Sequence, residues 1–222
     1  EVNTGLLPHN ICEEIFGIKQ NMAVISGPSF ASEVARKKPT AVTIASNNLT
    51  FGQYIASSLS DINFRAYTTQ DITGVEIGGA VKNILAIGVG ISDGLNYGDN
   101  ARIALINRGL VEMQRLGVSL GADKNTFLGL SGMGDLVLTC TSNLSRNRRF
   151  GLAIAKGQSI SKAISEINQV VEGIDATAAV SKLSDKMSID MPICKTISRI
   201  IFNNLKPEIA VRELMSRDLQ AE

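Results

Sequence analysis

This sequence has very little histidine and almost no net charge, and each of these facts argues against a class of function. The 222 residues contain one histidine, His9, in the leading segment TGLLPHN, which we expect to be a loop. We therefore expect neither a His-based catalytic triad nor a histidine-rich metal site, and an enzyme would use Lys, Asp, Glu or Tyr for proton transfer. The formal net charge of +1 gives no electrostatic reason to expect nucleic-acid or membrane binding.

Cysteine is equally sparse. Cys12, Cys140 and Cys194 are odd in number and lack metal-type spacing, which favours reduced thiols over a disulfide framework or a zinc site. Their apolar neighbours favour core positions over reactive ones. No secretory signal is recognisable at the start, and no charge-free apolar run is long enough to cross a bilayer. We therefore expect a cytoplasmic protein with no metal and no membrane insertion.

What the sequence does contain falls into two parts. Residues 1–70 alternate the strand-like runs MAVIS, TAVTIAS and NFRAYTT with helical segments, which predicts α/β organisation with a partly parallel sheet. Two or three strands are too few for an independent doubly wound sheet, so we interpret this part as the end of a larger α/β domain. Residues 71–222 show helical periodicity, interrupted at positions such as Gly94, Gly121 and Pro192. That pattern predicts an all-helical second part and a predominantly helical chain.

The segment GVEIGGAVKNILAIGVGISDG, residues 74–94, places Lys82 among small and apolar residues. In a helix, its neighbours three and four positions away are two glycines, a leucine and an alanine, so no ion pair is available within the helix. One interpretation is a surface lysine whose stem lies on apolar neighbours while its ammonium stays in water. The other is a cation whose counter-charge comes from a ligand.

The segment VISGPSFASEVARK predicts a strand, a Gly-Pro-Ser turn and a helix, with Ser29 placed to cap the helix. Free backbone N–H groups at such a helix start can receive an anion or a cofactor phosphate. An ordinary capped turn has the same pattern.

The segment TCTSNLSRNRRFG places Arg146, Arg148 and Arg149 around Asn147, directly after serines suited to helix capping. Guanidinium forks and a helix N-terminus both suit a phosphate dianion. A solvated basic patch is the alternative interpretation.

Two acidic residues are further candidates. Asp135 follows two glycines in GLSGMGDLVLTC, an apolar setting in which a carboxylate needs a lysine or a ligand hydroxyl nearby. An Asp that compensates a helix dipole explains the position equally well. Glu172 precedes a glycine in QVVEGIDA, at an expected loop, where it would accept hydrogen bonds from a ribose, from a nicotinamide amide or simply from water.

Taken in order, several segments resemble the bacterial-type NAD(P)-dependent glycerol-3-phosphate dehydrogenases over nearly the whole chain. They are AVISGPSFASEVA, GVEIGGAVKNILAIGVGISDGL, NARIALINRGLVEM, LSGMGDLVLTCTSNLSRNRRFG and VVEG. The resemblance implies interconversion of sn-glycerol 3-phosphate and dihydroxyacetone phosphate for glycerophospholipid synthesis, with NAD or NADP. It also implies that residues 1–70 are the remnant of a Rossmann domain and residues 71–222 a helical substrate-binding domain. The expected partners are this small substrate and, for assembly, a second copy in a homodimer.

The same resemblance implies the roles of individual residues. Lys82 would be the catalytic residue that transfers a proton. The substrate would contact Gly27, Ser29, Lys82, Asp135, Ser145, Arg146 and Asn147. The cofactor would contact Ala31, Arg146, Val170 and Glu172.

One departure from the family is large. The family begins with a strand and a GxGxxG-type turn that holds the dinucleotide pyrophosphate, and this sequence contains no such turn. A Lys-Gly pair that the family carries just ahead of Glu1 is also absent. We therefore expect a C-terminal portion of the enzyme that is inactive alone. Two alternatives are a related lysine-using dehydrogenase for another hydroxy acid, of the phosphogluconate or hydroxyisobutyrate type, and a stand-alone anion-binding or dimerising helical module.

Overall fold

A computed structural model describes residues 1–217, so the last five positions of the predicted helical part, 218–222, lie outside it. The first part of the chain forms a small sheet with three helices. Its elements are α1 (Pro8–Phe16), β1 (Ala23–Ser26), α2 (Ala31–Val34), β2 (Thr40–Ser46), α3 (Leu49–Leu59) and β3 (Phe64–Thr69).

From Ile72 onward the described chain is helical. The helices are α4 (Ile72–Gly94), α5 (Gly98–Ser119), α6 (Asp135–Thr141), α7 (Arg146–Ala155), α8 (Ile160–Ile167), α9 (Glu172–Lys186), α10 (Pro192–Phe202) and α11 (Pro207–Met215). A 3₁₀ turn (Lys124–Leu128) and a π-helical turn (Leu130–Gly134) join α5 to α6. The predicted fold class, an α/β remnant followed by an all-helical part, is confirmed.

The sheet is partly parallel, as predicted. β2 lies in the centre, parallel to β3 and antiparallel to β1. The β2–α3–β3 unit supplies the parallel connection, and Asn48 caps α3 by accepting a hydrogen bond from the Phe51 N–H at 3.1 Å. The inward side chains Val42 and Ile44 make β2 the buried strand of the three.

The centre of the helical part is α4, against which α5, α6, α7 and α9 pack. By length and composition α4 is apolar enough to cross a membrane, but it carries Glu76, Lys82 and Asp93, and 72% of its most apolar window is buried inside the fold. It is therefore the core helix around which the others assemble.

α7 lies unusually close to α4. A Cβ atom added to Gly90 would fall 2.2 Å from the Arg148 carbonyl oxygen, and one added to Gly151 would fall 2.1 Å from the Ile87 carbonyl oxygen. Two glycines thus allow backbone-to-backbone contact that any side chain would prevent. This contact fixes the first turn of α7 beside the middle of α4.

The structure corrects two local predictions. His9 lies in α1 rather than in a loop, and its Nδ1 is 2.6 Å from Oε2 of the buried Glu76, which ties α1 to α4. Ser29 does not cap a helix, because α2 begins at Ala31 and has only four residues; the Ser29 hydroxyl instead donates to the Gly27 carbonyl at 3.0 Å.

Two of the three cysteines occupy the core positions that their neighbours predicted, and Cys12 does not. Cys140 and Cys194 are buried and Cys12 is partly exposed, and all three are free thiols. Burial raises the pKa of Cys140 to about 12 and raises the pKa of Cys194 well above its ordinary value.

Candidate active site

An open cleft of about 450 Å³ lies between the turn after β1 and the helices α4, α6, α7 and α9. It brings together most of the residues that the sequence had nominated. The nominated residues in its lining are Gly27, Ser29, Lys82, Asp135, Ser145, Arg146, Asn147 and Glu172. Ala31, at the start of α2, and Val170, in the turn before α9, are both exposed and lie outside that lining.

Lys82 and Asp135 form an ion pair inside the cleft. Lys82 extends from the middle of α4, Asp135 is the first residue of α6, and the Lys82 Nζ donates a hydrogen bond to Asp135 Oδ2. The lysine side chain is 20% exposed and the carboxylate 5%. Lys82 is therefore not a surface lysine with its ammonium in water. In the unliganded cleft its counter-charge is Asp135.

The π-helical turn ahead of α6 determines where Asp135 lies. A Cβ atom on Gly78 would fall 2.5 Å from the Ser131 carbonyl oxygen, so the turn rests directly on α4, one helical turn before Lys82. Gly79 has a different role, because the nearest atom to its Cβ position is Ser26 Oγ at 3.8 Å, across the cleft. Gly78 therefore allows the backbone of the π-helical turn to approach α4, and Gly79 leaves open space in the cleft.

A threonine that the sequence analysis did not single out lies beside the carboxylate. The Thr139 hydroxyl donates to the main-chain oxygen of Asp135 at 2.6 Å and lies 3.3 Å from Asp135 Oδ1. Its position one helical turn after Asp135 was the available signal, since Thr often bonds back to the carbonyl four residues earlier.

Asn147 joins three helices at the back of the cleft. Its Nδ2 donates to Asn83 Oδ1 at 2.9 Å, and its Oδ1 accepts from the Gly173 N–H at 2.9 Å. The residue is 3% exposed, and these bonds leave one amide N–H for a ligand. Asn83, beside Lys82 in the sequence, was not predicted as a site residue; its adjacency to the lysine in GGAVKN was the only signal.

The arginine cluster separates into three environments. The buried Arg148 donates to Asp93 through Nε at 3.0 Å and Nη2 at 2.6 Å, and to Asn143 Oδ1 at 2.6 Å. Arg149 is exposed. Only Arg146 lines the cleft. The cluster is therefore neither a single anion site nor a uniformly solvated patch.

Arg146 pairs with Glu172 across the mouth of the cleft. Its Nη2 is 2.6 Å from Glu172 Oε1, and the two side chains are 35% and 47% exposed. Glu172 is the first residue of α9 rather than part of a loop. As predicted, Ser145 caps α7 by accepting from the Arg148 N–H at 3.2 Å. The positive ends of the α7 and α9 dipoles thus converge on the cleft.

This arrangement can bind and protonate a small anionic molecule. Lys82 supplies a proton donor held by a carboxylate, while Arg146 and the two helix starts supply positive potential for an anion. Within residues 1–217, no group of three or more His, Cys, Asp or Glu side chains is arranged to hold a metal ion.

Comparison with known proteins adds independent information. A family profile described as "NAD-dependent glycerol-3-phosphate dehydrogenase C-terminus" matches residues 71–212, and one for the N-terminus of the same family matches residues 1–52. A glycerol-3-phosphate dehydrogenase [NAD(P)+] of Aeromonas hydrophila is 49% identical over 100% of this chain and 67% of its own length. The one of Solidesulfovibrio magneticus is 48% identical over 100% of this chain and 68% of its own length.

A solved structure agrees with these matches. The crystal structure of glycerol-3-phosphate dehydrogenase from Coxiella burnetii superposes with a TM-score of 0.94 at 49% identity, covering 97% of this chain and 66% of that one. The present chain thus spans about two thirds of the length of the proteins it matches.

Proposed function

Because the chain belongs to the NAD-dependent glycerol-3-phosphate dehydrogenase family, we propose that it is the substrate-binding part of an oxidoreductase that interconverts sn-glycerol 3-phosphate and dihydroxyacetone phosphate. The observation that carries the proposal is the Lys82–Asp135 pair, placed in a cleft that also contains Arg146 and two helix N-termini. This combination suits a substrate with both a carbonyl and a phosphate. The product would feed glycerophospholipid synthesis.

The two parts of the chain are proposed to belong to different domains. Residues 1–70 belong to the nucleotide-binding domain and residues 71–222 to the substrate-binding domain. The start of α4 at Ile72 supports this boundary, as does the profile match that begins at residue 71.

In the proposed reaction, Lys82 is the general acid for ketone reduction. Its ammonium donates a proton to the C2 oxygen as hydride adds to C2 and the carbonyl π electrons move onto that oxygen, and the resulting amine stays hydrogen-bonded to Asp135. In the oxidation direction the same amine takes the proton from the C2 hydroxyl. Asp135, placed at the start of α6 directly after the π-helical turn, orients the lysine throughout.

The phosphate of the substrate would bind at the start of α7. Arg146 provides a charge-assisted donor there, the remaining Asn147 N–H a second, and the Ser145 hydroxyl lies in the same cleft lining. Gly27 and Ser29, at the end of β1, close the opposite wall and would contact the rest of the substrate.

The chain fits one side of a nicotinamide cofactor. Val170 presents an exposed apolar side chain for ring contact, and Glu172, two residues later, offers carboxylate oxygens for amide or ribose N–H and O–H groups. Ala31 and Arg146 would complete these contacts. When bound, the cofactor supplies or accepts the hydride. Since the sequence has no GxGxxG turn, the chain alone would not hold the pyrophosphate and would not turn over.

The two alternatives are less well supported. A hydroxyacid dehydrogenase of another type is not favoured, because the relatives described above are named for glycerol 3-phosphate. A stand-alone anion-binding or dimerising helical module is not favoured either, because the matching family profiles and relatives are those of a dehydrogenase. We further propose a cytoplasmic homodimer that neither inserts into membranes nor binds nucleic acid.

The direct test restores the missing part. The portion of the Aeromonas hydrophila relative that lies ahead of the aligned region is fused to Glu1, and NADH and NADPH oxidation are followed with dihydroxyacetone phosphate. We expect turnover by the fusion and none by the 222-residue chain alone. Turnover with 6-phosphogluconate or 3-hydroxyisobutyrate in the oxidative direction, in place of glycerol 3-phosphate, would favour the alternative dehydrogenase.

The phosphate assignment is tested in the same fusion with Arg146→Ala. Charge-assisted phosphate contacts contribute about 1.5–3 kcal/mol, so kcat/KM for dihydroxyacetone phosphate should fall roughly ten- to hundredfold. The unphosphorylated analogue dihydroxyacetone should be affected much less. An equal loss on both substrates would show that Arg146 supports the structure or the cofactor instead.

A further inference from the structure

The cleft contains an exact balance of charged side chains. Among residues 1–217, its lining includes two cations, Lys82 and Arg146, and two anions, Asp135 and Glu172. Each cation is bonded to one of the anions. An incoming phosphate dianion therefore finds no cation without a counter-charge and competes with a carboxylate for the cation that it binds.

The two ion pairs, Lys82–Asp135 and Arg146–Glu172, differ in how easily a ligand can separate their charges. Asp135 is 5% exposed, and its Oδ1 lies 3.3 Å from the Thr139 hydroxyl, so separating Asp135 from Lys82 leaves a buried carboxylate without its cation. Glu172 is 47% exposed at the first position of α9, where water and the helix dipole stabilise it when it is unpaired. Exposed pairs of this kind contribute little to stability. Of the two carboxylates, Glu172 is therefore the one that a phosphate displaces more easily.

We propose that Glu172 is an internal competitor for the substrate phosphate: it holds the Arg146 guanidinium in the unliganded cleft and is displaced when a phosphate monoester binds. This inference rests on the proposed function and adds to it a residue that sets phosphate affinity by occupying the phosphate's partner. Displacement also releases the Glu172 carboxylate from Arg146, so Glu172 can accept hydrogen bonds from other groups only once the substrate is bound.

The competition predicts that removing the carboxylate tightens phosphate binding. We expect Glu172→Gln in the 222-residue chain to bind sn-glycerol 3-phosphate about two- to fivefold more tightly than the parent at low ionic strength. The upper limit reflects the value of an exposed ion pair, up to about 1 kcal/mol. Binding is measured by NMR titration of the backbone amides and of the arginine Nε–H signals, with glycerol as the unphosphorylated control ligand.

A matched control separates competition from a general effect of charge. Asp175→Asn removes one negative charge from the first turn of the same helix without touching Arg146. The double variant Arg146→Ala/Glu172→Gln tests whether the effect passes through the arginine. If Glu172 is a competitor, Asp175→Asn changes affinity little, and Glu172→Gln adds nothing in the Arg146→Ala background.

The outcomes are distinguishable from one another. Unchanged or weaker binding by Glu172→Gln overturns the inference, and so does an equal gain from Asp175→Asn. If Arg146→Ala alone weakens binding while Glu172→Gln has no effect, the phosphate site stands and only the competition fails. If Arg146→Ala leaves glycerol 3-phosphate binding unchanged, the phosphate assignment in the proposed function fails with it.

Discussion

Replacing Arg148 by methionine should lower the free energy of unfolding substantially, whereas the same replacement of the neighbouring Arg149 should lower it very little. The Arg148 side chain is 10% exposed and its guanidinium donates two hydrogen bonds to Asp93, whose side chain is 5% exposed. Breaking a buried ion pair by removing one partner costs about 3–5 kcal/mol. Asp93 keeps one donor, Arg102 Nε at 2.8 Å, so we expect the lower end, about 3 kcal/mol.

The assay is urea unfolding of the 222-residue chain followed by circular dichroism. Arg149→Met is the matched control, because it makes the same change one position along the helix at an exposed site. The double variant Arg148→Met/Asp93→Leu should recover part of the loss, since it no longer buries a carboxylate that has lost its two Arg148 hydrogen bonds, while Arg102, which is 29% exposed, keeps Asp99 as a partner. A loss for Arg148→Met no larger than that for Arg149→Met would refute the assignment of this pair as a buried structural contact.

Three further results are expected. Burial raises the pKa of Glu112, so at a pH above the ordinary carboxyl pKa the native chain binds more protons than the unfolded chain. The free energy of unfolding should therefore fall as the pH rises from about 4.5 through the raised pKa. In urea unfolding at a series of pH values, Glu112→Gln should make this dependence on pH less steep. Gly151→Ala should destabilise the chain by about 1–3 kcal/mol or more, since the new Cβ meets backbone, whereas Gly134→Ala, with ordinary contacts at 3.6 Å, should be tolerated better; thermal melts compare the two. In Ellman's assay at pH 8, Cys12 should react in the native state and the two buried cysteines only after unfolding.

The secondary structure was largely predictable because its signals are local. The three strands and the long helices follow from apolar periodicity, and the cap at Ser145 follows from its residue type. Ser29 shows where local reasoning fails: a four-residue helix has too few turns for its start to be read from periodicity.

The partners of the charged residues were less predictable, because they depend on how helices pack. Arg146 and Arg148 are two positions apart, which is a rotation of about 200° around the axis of α7, so their side chains lie on nearly opposite faces of the helix. One faces the cleft and the other is buried against Asp93, and only the position of α4 decides which. Gly78 and Gly79 likewise face different neighbours, the π-helical turn and the open cleft.

The residues alone predicted that Asp135 needs a lysine or a ligand hydroxyl nearby, but they did not identify that lysine as Lys82. The two residues are 53 positions apart, and the sequence indicates only that a carboxylate in an apolar setting needs a donor and that a lysine without helical partners needs a counter-charge. The intervening π-helical turn, which carries the carboxylate to the lysine, has no clear signal in the sequence.

The most direct test of Lys82 as the general acid/base is the turnover of Lys82→Met in the fusion that restores the nucleotide-binding part. Methionine keeps the apolar stem but leaves the buried Asp135 without its cation, so the free energy of unfolding and glycerol 3-phosphate binding are measured beside turnover. In the folded variant, turnover should fall about 10²–10⁴-fold, the range for a lost general acid/base. Lys156→Met, an exposed lysine outside the cleft, is the control and should retain full turnover. A Lys82→Met enzyme that keeps more than about half of the parent turnover, far above that range, would contradict the account and remove Lys82 from the reaction.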